Sequence, residues 1–134
     1  MITLLDGGMG QELLARSGDA PTPLSATQVM IDHPGLVQAV HADYFAAGAT
    51  MATTNTYALH HDRLAGTAAE TRFAALHAQA LAEAQAARDA AGRGRLAGSI
   101  GPLGASYRAN LGQNMTGLPG FMPRLPRSSP RRSM

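Results

Sequence analysis

The sequence predicts an α/β fold built on about three parallel strands with helices between them. Three observations carry this expectation. Short apolar runs near residues 2–6, 49–54 and 95–100 each end in a cluster of glycine, hydroxyl or carboxylate residues. Segments with helical spacing separate those runs. Each connection is too long for a hairpin and suits a parallel, right-handed crossover.

The first run, Ile2-Thr3-Leu4-Leu5-Asp6-Gly7-Gly8-Met9-Gly10, reads as strand, tight loop and helix start. Glycine takes positive φ cheaply and lets backbone approach a ligand closely. Asp6 is thereby expected at the carboxyl end of a buried strand, the edge where parallel α/β sheets carry their active sites. The alternative is an Asp6 that only caps the following helix. The loop matches neither the dinucleotide fingerprint nor the P-loop, and no lysine follows it.

Gln11 to Arg16 reads as a short helix stopped by Gly18, and Ser25 as the cap of a helical turn running to Asp32. Pro34 opens a clearer helix, because its missing N–H would be unpaired in the first turn anyway. Leu36, Val37, Val40, Tyr44 and Ala47 form its apolar face, and Gly48 ends it. Residues 49–57 are β-branched and short and predict a second strand, buried on both faces. A loop with His60, His61, Asp62 and Arg63 leads to a long helix over about 69–91, whose inward stripe is Phe73, Leu76, Ala80, Ala84 and Ala87. Residues 95–102 are the third strand and its turn. The pattern fails near Ala109, and from Leu118 four prolines, four arginines and three serines dominate, so a disordered tail is expected.

Composition narrows the function. At 134 residues, 45% hydrophobic and 15% charged, the chain is globular and one domain or part of one. The net charge of +2 comes from Arg124, Arg127, Arg131 and Arg132; the remainder is slightly acidic, which is no nucleic-acid footprint. There is no cysteine, which excludes disulfides and any thiolate metal site within these residues. No run approaches a membrane span and no signal peptide is evident, so a soluble cytoplasmic protein is expected, with no membrane partner.

Three strand ends carry the candidate chemistry: Asp6-Gly7-Gly8, Thr54-Asn55-Thr56 and Ser99-Ile100-Gly101-Pro102. In a parallel barrel they converge on one face. Asp6 suits an ammonium group, Asn55 offers both donor and acceptor, and loop N–H groups near Gly7, Gly8 and Gly101 suit a carboxylate. Together they describe a site for a zwitterionic amino acid. The bland reading is that Asn55 and the threonines only satisfy loop backbone. His60, His61 and Asp62 make a poor metal cluster, since adjacent histidines rarely face one ion. His41 and His77 read as surface or packing residues within helices.

Four stretches, DGGMGQEL, HPGLVQAVHADYFAAGA, TTNTY and AGSIGPLGASY, resemble the homocysteine S-methyltransferase family, in order and with its spacing from about Leu4 to Tyr107. The resemblance implies the N-terminal portion of a (β/α)8 TIM barrel. It implies methyl transfer to the thiol of homocysteine, giving methionine, from donors such as S-methylmethionine, S-adenosylmethionine, betaine or methylfolate-charged cobalamin. In the family, zinc held by three cysteine thiolates activates the sulfur, and zinc binding lowers a thiol's pKa. Asp6 matches the aspartate that holds the substrate's amino group, and Asn55 the polar end of the second strand. The expected substrate contacts are Asp6, Gly7, Gly8, Thr54, Asn55 and Ser99.

This sequence departs from the family in two respects. The zinc cysteines belong to later strands and are absent from this chain, and a full barrel needs ~250 residues. Residues 1–108 are therefore expected to be a partial homocysteine-binding barrel domain and 109–134 a non-homologous tail, in a truncated or frame-disrupted member. No catalytic residue and no metal ligand is expected, and the chain is expected to be inactive alone. A non-catalytic amino-acid-binding module and a non-functional fragment stay open.

Overall fold

The computed structural model describes residues 1–102. Helix α1 (Met9–Ser17) is followed by α2 (Ala26–Asp32), α3 (Leu36–Ala46), strand β1 (Met51–Thr53), the short α4 (His61–Leu64), a 3-10 turn (Glu70–Arg72), α5 (Phe73–Ala91) and strand β2 (Arg95–Ala97). β1 and β2 pair in parallel, with Ala52 opposite Leu96. On the other side of β1, Leu5 bridges Met51, also in parallel. The order across the sheet is therefore N-terminal segment, β1, β2, which is the chain order expected of successive βα units. The domain boundary at 108/109 and the expected tail lie outside the described residues.

The first strand is shorter than expected. Thr50 N–H donates to Leu4 O at 2.8 Å and Asp6 N–H to Met51 O at 3.0 Å, and the pairing goes no further. Leu4 and Leu5 are more than half exposed, so this strand is not buried as the apolar run implied. It has a neighbour on one side only, and an edge of this kind shortens readily. β1 likewise buries Ala52 fully, while Met51 and Thr53 are partly covered, so burial on both faces is not reached.

The helices lie close to their expected spans. α3 starts after Gly35 rather than at Pro34 and is capped by Ala47, with Gly48 one residue beyond at φ 110°. Its buried face is Val37, Val40, His41 and Phe45. Tyr44 is only partly covered, so the apolar stripe is rotated from the expected one. Ser25 occupies the N-cap position of α2 but makes no side-chain capping bond. α5 ends at Gly92, whose φ of 67° is the left-handed conformation that closes helices.

Two apolar clusters hold these elements together. Leu13, Val29, Met30, Val37, Val40, Leu59, Leu64, Leu76 and Ala80 fill the space among the helices. Phe45, Ala52, Ala87 and the partly buried Leu96 join α3 and α5 to the sheet. Ala80, Ala84 and Ala87 let α5 approach closely, which brings the strand ends into register. Arg93 then ties the end of α3 to the connection that leads into β1, donating to Phe45 O at 2.6 Å and Ala49 O at 3.1 Å. Among the described residues no helix is long and apolar enough to cross a membrane.

Candidate amino-acid-binding site

A cavity of about 590 Å³ opens at the carboxyl ends of the strands. Asp6, Gly7, Thr54, Asn55 and Ser99 all line it, so five of the six expected contacts share one wall system. Gly8 does not line it; its carbonyl accepts a hydrogen bond from Tyr44 Oη at 2.9 Å. Leu5, Met9, Gly10, Ser25, Ala26, Thr53, Tyr57, Ala58 and Arg63 complete the lining.

Asp6 is held from behind. Thr53 N–H donates to Oδ2 at 2.7 Å and Thr53 Oγ1–H to Oδ1 at 3.1 Å. The side chain is 5% exposed. It does not cap α1, whose N-cap residue is Gly8. A carboxylate has about four lone-pair positions, so roughly two remain after Thr53. Behind it on α3 stands the fully buried His41, with Nδ1 4.0 Å from Asp6 Oδ2. Burial pushes His41 below its ordinary value of 6.5, against the opposing pull of the Asp6 and Glu83 charges.

Gly7 packs closely against Tyr44. A Cβ there would stand 2.7–2.9 Å from Tyr44 ring atoms and Oη. That close approach turns the chain past Tyr44 and into α1. Burial raises the Tyr44 phenol, with Glu12 and Asp6 adding to the effect and Arg16 opposing it, so the phenol keeps its proton and donates to Gly8 O.

The threonine ends of β1 do structural work as well. Thr54 Oγ1 and Thr56 Oγ1 are 2.9 Å apart, and each accepts from Ser99 N–H at 3.3 Å. Thr56 Oγ1 lies 2.6 Å from Ser99 O. This hydroxyl pair fastens the end of β2 beside the end of β1. Asn55 is buried, with Nδ2 donating to Ala26 O at 3.3 Å and lying 3.7 Å from Met30 Sδ. Its amide is thus oriented by α2, with its oxygen unbonded among the described residues.

Arg63, Tyr57 and Ser25 were not anticipated in this lining. Arg63 lies with its guanidinium carbon 5.8 Å from the Tyr57 ring centre. Ser25 is the one non-glycine residue with positive φ among the described residues, at φ 49°, ψ −128°. The sequence marks Ser25 as a helix cap, Tyr57 as the end of the TTNTY stretch and Arg63 as a loop residue; their place in the lining comes from the loops' paths.

No three His, Asp or Glu side chains gather around a common point among the described residues. His60 is buried, whereas His61 stacks on Phe73 with ring centres 3.8 Å apart. With no cysteine in the sequence, the residues present do not fit a thiolate-held metal.

Comparison with known proteins extends this geometry. The homocysteine S-methyltransferase family model matches residues 3–123. A homocysteine S-methyltransferase of Escherichia coli (strain K12) is 38% identical, over 78% of this chain and 36% of that protein. Homocysteine S-methyltransferase YbgG of Bacillus subtilis (strain 168) is 32% identical, over 65% of this chain and 24% of that protein. The crystal structure of the homocysteine methyltransferase MmuM from Escherichia coli, in its metallated form, superposes with a TM-score of 0.67 at 35% identity. That match covers 76% of this chain and 38% of MmuM. The chain thus matches between about a quarter and little more than a third of the length of these relatives.

Proposed function

This chain belongs to the homocysteine S-methyltransferase family, and we propose from that membership that its cavity is the part of a homocysteine site that grips the amino-acid end. The single observation that carries the reading is Asp6: a nearly buried carboxylate, braced by Thr53 and facing the cavity with unspent acceptor capacity. The substrate ammonium pairs with Asp6 in a charge-assisted hydrogen bond. The substrate carboxylate meets the backbone N–H groups of Gly7 and Gly10, which line the cavity at the positive end of α1. Asn55, Thr54 and Ser99 line the remaining polar wall.

The reaction of the whole barrel is methyl transfer to the homocysteine thiol, giving methionine. Zinc in the family supplies a thiolate at neutral pH. No step of that activation is assigned to these 134 residues, which contain no cysteine. The role of this chain is binding and orientation, without turnover by itself. A free-thiol substrate calls for a reducing compartment, so a cytoplasmic setting belongs to the same proposal.

Calorimetric titration with reduced L-homocysteine tests the binding. The expected result is binding that Asp6→Asn weakens by about one to two powers of ten, the size of a lost charge-assisted bond. Equal binding by Asp6→Asn would overturn the assignment. Methionine formed by the isolated chain from any of the four donor types would overturn the absence of turnover.

A further inference from the structure

His41 has no part in the binding scheme above, yet its placement is costly. The side chain is fully buried and neither ring nitrogen has a hydrogen-bond partner among the described residues. An unpaired buried polar group destabilises a fold, and an apolar residue of similar shape would avoid that cost. What the imidazole gains is proximity: Nδ1 lies 4.0 Å from Asp6 Oδ2, beyond hydrogen-bond length but close enough for a dipole to act on a charge.

We propose that His41 is a positioning residue for Asp6: its ring, with Nδ1–H turned toward Oδ2, backs the carboxylate that Thr53 holds and keeps its oxygens aimed at a substrate ammonium. The inference rests on the homocysteine reading and deepens it. Asp6 from the N-terminal segment and Glu83 from α5 are the charged groups that act on the ring. Their charges favour imidazolium, but burial outweighs them and keeps the ring neutral. Neutrality suits the role. An imidazolium would pair with Asp6 and compete with the ammonium for the same oxygens, whereas the dipole of a neutral ring acts on the carboxylate without cancelling its charge. The tautomer follows from the same field, because the Asp6 charge favours the proton on the nearer nitrogen.

The test uses the full chain in two measurements. His41 is first titrated by NMR in wild type and Asp6→Asn, without ligand. Reduced L-homocysteine is then titrated calorimetrically into wild type, His41→Leu and His41→Asn. Asp6→Asn is expected to lower the His41 midpoint further, since the carboxylate charge holds it up. His41→Leu is expected to melt at the same temperature or higher, yet to bind homocysteine about tenfold more weakly. His41→Asn, whose amide nitrogen can stand near the Nδ1 position, is expected to recover most of that loss. A His41 midpoint unmoved by Asp6→Asn overturns the inference whether or not homocysteine binds, and so does undiminished affinity in His41→Leu. A wild-type chain that binds no homocysteine, with the midpoint still moved by Asp6→Asn, overturns the proposed function while upholding the His41–Asp6 coupling.

Discussion

The Asp6 carboxylate is bound at both oxygens by a single residue, Thr53, through its amide at 2.7 Å and its hydroxyl at 3.1 Å. Thr53 closes β1, and Asp6 closes the segment that bridges β1. The charge that faces the cavity is therefore set by strand register. A one-residue slip would turn the Thr53 hydroxyl to the opposite face and leave a nearly buried carboxylate short of donors.

Thr53→Val keeps the side chain's shape and removes one donor to that charge. The expected cost is about 1 kcal/mol of stability, read as a lowered urea midpoint at unchanged slope. In a double-mutant cycle with Asp6→Asn the two changes should be non-additive, because they share one contact. Strict additivity would mean that the hydroxyl bond is worth no more to the carboxylate than to the amide that replaces it.

Gly7→Ala inserts a methyl group where Tyr44 ring atoms stand within 2.9 Å. Overpacking of this kind costs about 1–3 kcal/mol. The loss should shrink when Tyr44 is also cut back to Ala, since the obstacle is then gone. Thermal melting of the single and double variants decides it: a Gly7→Ala chain as stable as wild type would show that the loop yields freely.

The sequence made the strand ends visible because each joins an apolar run to glycine or hydroxyl residues, a pattern that survives without neighbours in view. Asp6, Thr54, Asn55 and Ser99 could thus be grouped before any contact was known. Thr53 could not, since its bond to Asp6 depends on register between segments 47 positions apart. His41 was hidden for another reason. Along α3 seven of eleven positions are Leu, Val, Ala or Phe, so helical spacing poorly distinguishes a stripe through Tyr44 from one through His41 and Phe45. Packing against α5 and the sheet selects the second. Glu83 was not singled out in the sequence, yet it is buried and accepts from Gln38 N–H at 2.9 Å, near the start of α3.

Acidification should weaken the fold through His41. Burial holds the folded-state value below 6.5, so the unfolded chain takes up a proton that the folded chain refuses. The contribution is fully present above the ordinary value. It is lost as pH falls from there through the depressed one. Melting temperatures between about pH 7.5 and 5 should decline, and His41→Leu should flatten that decline relative to wild type. Parallel declines in the two chains would assign the acid sensitivity to groups other than His41.

Ser25→Gly should stabilise the chain. Ser25 holds φ 49°, ψ −128°, a conformation that a Cβ makes costly and glycine adopts freely. Strain of this type costs about 1–3 kcal/mol, and the unfolded glycine's extra freedom returns part of the gain. A net increase of about 1 kcal/mol is expected on those two terms, read from the urea midpoint. The serine hydroxyl makes no capping bond for α2, so its loss should not cancel that gain. Ser25 also lines the cavity, at the point where α2 meets the start of α1. Ser25→Ala separates the two effects, since it removes the hydroxyl and keeps the strain. If both variants bind homocysteine like wild type, the strain has no role in binding; if Ser25→Gly is no more stable than wild type, the surrounding loop has already relieved it.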